Sequence, residues 1–169
     1  MSGTTPYARP LKPAGGIEAV WLIPASDIVS ATYGDGCCTG LTLRAGASAD
    51  QWPILEQSSS FREENLNPDG PPRFRHTLTL VVGREAFRKA FTPALRRAAE
   101  TEGLIALVTM ASGERLLAGW SARFGTSQPL RPDSFAMESG IKPLDGTPAV
   151  LTLASEDTDP AAELKEQEA

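Results

Sequence analysis

The sequence predicts a mainly β fold of the α+β kind: a β-sandwich or barrel of about eight to ten strands with one flanking amphipathic helix. Three observations predict it. Short apolar runs with a period of two recur along the chain, as in Phe74 to Val82 and Ala149 to Ala154. The 15 Gly and 14 Pro fall near turn positions between such runs, which suits many short strands better than a helical bundle. One stretch only, Arg84 to Glu102, carries helical periodicity. With 41% hydrophobic and 22% charged residues in 169, the chain has enough apolar material for one packed core. The expected organisation is a flexible arm over residues 1–16, a single β-rich domain over 17–155 and an acidic tail over 156–169.

The arm is rich in Pro, Gly and Thr and offers little to bury. Ile17 to Pro24 follows as a strand ended by proline, and Asp27 to Thr32 is either a second short strand or a turn. Gly34-Asp35-Gly36 marks a loop. Leu41 to Ala45 alternates, Trp52 to Gln57 reads as extended, and Ser58 to Arg62 is expected to pair with the strand after the next loop. That loop, Glu63 to Pro72, is polar and dense in turn residues, so it reads as a long exposed connection between antiparallel strands.

The strand after it sorts cleanly into two faces, with Phe74, His76, Leu78, Leu80 and Val82 on one and Arg73, Arg75, Thr77, Thr79 and Val81 on the other. In the helix, Phe87, Phe91, Ala94, Leu95 and Ala98 form an apolar stripe, while Arg88, Lys89, Arg96, Arg97 and Glu100 face water. Thr92-Pro93 interrupts it: either the helix kinks, or a short turn precedes a helix from Pro93 to Thr101, closed by Gly103. Leu104 to Met110 and Arg115 to Trp120 flank a compact Ala-Ser-Gly-Glu turn, a hairpin signal, and Gly119 marks a bulge or a close approach. Ser134 to Glu138 is a further extended piece. Turns at Ser139-Gly140 and Asp145-Gly146 then lead to the last strand, Ala149 to Ala154.

Little in this sequence carries chemistry. The single His excludes multi-histidine metal sites, and His76 lies in line with an apolar face, where a hydrogen-bonded core residue is the expected role. No spacing picks out a nucleophile and base to go with it. Cys37 and Cys38 are adjacent, so a mutual bridge would be strained, and they read as free thiols. Neither G-x-x-x-x-G-K-[ST] nor G-x-G-x-x-G occurs, which leaves nucleotide binding without a phosphate cradle. Glu63-Glu64 reads as solvated charge, and Asn65 to Gly70 lacks the closing Glu of a calcium loop. The expectation is no catalysis, no cofactor and no metal.

Charge and hydropathy narrow the partners. The net charge of −5 comes from one end, where Glu156, Asp157, Asp159, Glu163, Glu166 and Glu168 stand against Lys165 alone. The balanced remainder argues against a dedicated nucleic-acid surface, and the tail reads as a solvated, partly disordered end. No apolar run is long enough for a signal or a membrane span, so a soluble, non-secreted protein is expected.

The order of elements carries a resemblance. His76-Thr77-Leu78-Thr79-Leu80, the helix, Leu104 to Val108 with Gly113 and Leu117-Ala118-Gly119, Arg123-Phe124-Gly125-Thr126 and the ending Leu151 to Asp157 make the chain similar, over about residues 17 to 157, to structural proteins of bacteriophages and prophages. More distantly it resembles the small tail-tube proteins of phage tails and related injection machines. The resemblance implies a virion subunit, present in the host cytoplasm during assembly, that forms stacked, commonly hexameric rings with itself, contacts adjacent virion proteins and passes DNA only as non-specific cargo. It places inter-subunit contacts in the arm and the polar loop, with Asn65, Asn67, Asp69, Arg73 and Arg75 as the candidate interface residues. The other reading is a monomeric β-barrel module holding a small molecule or peptide among Trp21, Trp52, Phe74 and Trp120.

Overall fold

A computed structural model describes residues 15–34, 37–47, 49–55, 58–137 and 148–164. Most of the expected arm, Asp35-Gly36, the turns at Gly140 and Gly146 and residues 165–169 lie outside these. The fold is mainly β, as expected, and of the two architectures left open it is the sandwich.

Strands β1 (Ile17–Pro24), β2 (Ile28–Gly34), β3 (Cys37–Leu43), β4 (Asp50–Gln51), β7 (Leu104–Met110), β8 (Arg115–Ala118) and β11 (Ala162–Leu164) make one sheet, in the order β2-β3-β11-β8-β7-β1-β4. Strands β5 (Ser60–Asn65), β6 (Phe74–Gly83), β9 (Arg131–Met137) and β10 (Pro148–Asp157) make the second, in the order β5-β6-β10-β9. The spine of the second sheet is the β6–β10 pair, in register without a break from Gly83 opposite Pro148 to Phe74 opposite Asp157. Its residues alternate as period-two patterning requires: Leu78, Leu80 and Val82 are buried beside Ala149, Leu151 and Leu153.

These six meet Val20 and Leu22 of β1, Leu104, Ala106 and Val108 of β7, and Ala118 of β8 in the main core. The opposite face of β7–β8 builds a second, smaller core, where Ile105 and Leu117 pack with Cys38, Ala25, Trp120, Ala162 and Leu164. The two sheets are stitched together at both sides. Ile54 bridges to Val82, with Leu55 N–H donating to Val81 O at 2.9 Å, and Leu104 exchanges both backbone bonds with Leu130, at 2.8 and 2.9 Å.

The helical stretch is two helices, α1 (Arg84–Ala90) and α2 (Pro93–Thr101). The break falls where threonine and proline placed it: Thr92 Oγ1 accepts the Leu95 N–H at 3.2 Å, and Pro93 takes the first helical position, where its missing N–H costs nothing. Gly103 ends α2 with φ +83°, its N–H donating to Ala98 O at 2.8 Å. Along α2 the buried residue is Ala99, whereas Ala94 of the expected stripe is exposed. Restarting the helix at Pro93 shifts the phase of the face.

Four expectations change. β3 begins at Cys37 rather than at Leu41, and Gly34 of the expected loop ends β2. Of the extended run expected over Trp52 to Gln57, the described residues make only the isolated Ile54 bridge, with the short β4 just before it, and Glu56 and Gln57 lie outside the described residues. The polar loop is shorter than its composition suggested, because Glu63, Glu64 and Asn65 belong to β5 and pair with His76, Arg75 and Phe74. The acidic tail is ordered well past Glu156: β10 continues to Asp157, and β11 inserts between β3 and β8 with Ala162 and Leu164 buried. A Glu between two small or apolar residues is a strand with one wet face, and the surrounding acidic composition hides it.

Candidate interaction surface

The five residues expected at an interface cluster around the β5–β6 hairpin, and within one chain four of them already have work to do. Asn65 Oδ1 accepts the Asn67 N–H at 3.0 Å, and Asn67 Nδ2 donates to Pro71 O at 3.1 Å. Leu66 N–H donates to Arg73 O at 2.7 Å, so residues 66–73 fold into a tight tip. Arg73 grips Glu156 through Nε (3.2 Å to Oε2) and Nη2 (3.1 and 2.9 Å), and Arg75 reaches across β10 to Asp133 of β9 at 3.4 Å. Asp69 is exposed at the tip. The arginines therefore knit the outer face of the four-stranded sheet. Each pair is solvated and worth at most about 1 kcal/mol.

Polar side chains converge at the crossing from β10 to β11. His76 is buried on the inner face, and its Nε2–H donates to Asp159 O at 3.1 Å, with Glu63 Oε1 3.5 Å away. Glu63 Oε1 also accepts the Ala161 N–H. Asp157 Oδ1 accepts from Ser121 Oγ at 3.1 Å and from Thr158 N–H at 2.6 Å. Ser121 Oγ accepts in turn the N–H groups of Arg123 and Phe124, both at 3.1 Å. Its one proton and its lone pairs are thus committed to a turn and a carboxylate. The cluster fastens residues 157–161 in place so that β11 enters its slot. Ser121 and Asp157 were not picked out in the sequence, since one lies in a loop and the other in an acidic run.

Burial pushes the Cys38 thiol above its ordinary value, partly offset by its contact with the Gly40 backbone. Cys38 lies on β3 beside β11, opposite Leu164 in register, and is fully buried. Among the described residues no group of three or more His, Cys, Asp or Glu side chains is placed to hold a metal. No helix among them is long and apolar enough to cross a membrane.

The surface that stands out is β9 with the helices beside it. β9 ends its sheet, and Arg131 to Ala136 are all exposed. Phe135 is 51% exposed, stacked on Phe87 of α1 at 4.9 Å and 20°. Phe87, Phe91, Pro93, Pro132, Phe135 and Met137 line an apolar groove rimmed by Arg88, Arg96 and Glu100. Arg96 and Glu100 pair with each other at 3.2 Å. The first half of the β9 edge is blunted by Pro132 and by a register shift opposite Thr152 and Leu153, both common guards of an edge strand. The second half, Ser134 to Met137, runs in regular register with β10, and among the described residues no strand pairs with its other edge. On the seven-stranded sheet, edge strand β2 carries exposed Val29 (66%) and Tyr33 (47%).

No family model, curated protein or solved structure matches this chain. Two of the four aromatics proposed to surround a ligand are buried in different clusters: Trp52 in the main core, edge-on to Phe87 and Phe91 at 5.8 Å, and Trp120 in the second, beside Tyr33. A β7–β8 layer separates those clusters.

Proposed function

We propose that the chain is a structural subunit that assembles with copies of itself, of the kind that builds a phage tail tube or a tail-like particle, and that it works without catalysis or cofactor. The observation that carries the reading is the half of β9 that no described strand pairs, beside an apolar groove. An unpaired strand edge is a template for strand addition, and a half-exposed phenylalanine over an aromatic floor gains by being covered. The separation of Trp52 from Trp120 favours assembly over a ligand-holding barrel, because those aromatics fill two cores instead of lining one cavity. The virion setting, the stacked rings and their contacts with adjacent virion proteins rest on the similarity in element order. In that setting the hairpin tip at Asn65, Asn67 and Asp69 is a second contact, with Arg73 and Arg75 holding its base.

The test is the mass of the purified full chain by light scattering over a range of concentrations, with negative-stain images of the same fractions. Wild type and Phe135→Asp are compared. Wild type should grow in mass with concentration and give rings or tubes. Phe135→Asp should stay monomeric and stay folded, losing about 1 kcal/mol of stability, since the ring is half solvated but stacks on Phe87. A wild type that is monomeric throughout would overturn the proposal, and an assembling Phe135→Asp would move the interface away from β9.

A further inference from the structure

We draw no further inference here: the strongest candidate, the apolar groove between α1, α2 and β9 floored by Phe87, Phe91 and Phe135, belongs to the surface already described, and nothing in the structure shows which segment or partner covers it.

Discussion

Leu164→Ala is the sharpest probe of how this fold is closed. β11 is three residues long, yet it alone joins the β2–β3 hairpin to β8 in the seven-stranded order. Leu164 is 6% exposed and packs in the cluster that contains Cys38, Ile105 and Leu117. Truncating a buried leucine costs about 2–5 kcal/mol in general, and the lower part of that range, about 2–3 kcal/mol, fits a site at the end of a strand that can partly collapse. If β11 lifts off in a local opening without unfolding both sheets, the same free energy raises the open population roughly 30- to 150-fold, at tenfold per 1.4 kcal/mol. Cys38 reports that opening, because it is fully buried in the same cluster as Leu164 and neighbours it across the β3–β11 ladder. In a Cys37→Ser background, the rate of Cys38 labelling by a disulfide reagent should rise by that factor, and the denaturation midpoint should fall. Labelling that stays at the parent rate while the midpoint falls would refute the idea that β11 opens locally and guards Cys38. An unchanged midpoint and rate would refute the assignment of Leu164 to the core.

Two further outcomes follow from the same geometry. Gly119→Ala should destabilise the fold by about 3 kcal/mol, read by chemical denaturation, since strain at an unusual backbone conformation adds to a clash: φ is +86°, and a Cβ would lie 2.9 Å from Leu104 O and Leu130 N, the bridge that joins the sheets. The buried Cys38 thiol, raised above its ordinary 9.0, favours the protonated form in the folded state, so its contribution is full below 9.0 and is lost as pH rises through the higher folded value. The stability gap between wild type and Cys38→Ala should therefore narrow as pH rises above 9.0 towards the raised folded value, and a gap constant with pH would contradict the burial of the thiol.

Much of this architecture is legible where one strand face is wet and the other dry. Leu78, Leu80 and Val82 declare β6, Leu151 and Leu153 declare β10, and Thr92-Pro93 places the helix break to the residue. Gly119 reads as a bulge or a close approach, and the structure makes it the close approach, with a Cβ there 2.9 Å from Leu104 O and Leu130 N. β9 is legible only in part: Arg-Pro-Asp-Ser-Phe-Ala-Met has no alternation to read, since an exposed edge strand buries neither face fully. β11 escapes because its pattern spans three residues, too few to show a period against an acidic background. Sheet order escapes for another reason. The insertion of residues 162–164 between β3 and β8 joins segments far apart in the chain, and no local preference encodes the partner. At the hairpin the turn chemistry of Asn65 and Asn67 is readable, whereas the Glu156 partner of Arg73 depends on the β6–β10 register.

Hydrogen exchange of the Ser134 to Met137 amides, in dilute and in concentrated protein, reads whether the second half of β9 is a pairing edge. Their exchange should slow with concentration, while the already buried amides of β6 and β10 keep their rates. Fast exchange at β9 in the concentrated sample, or slowing confined to β2 or the 66–73 tip, would contradict it.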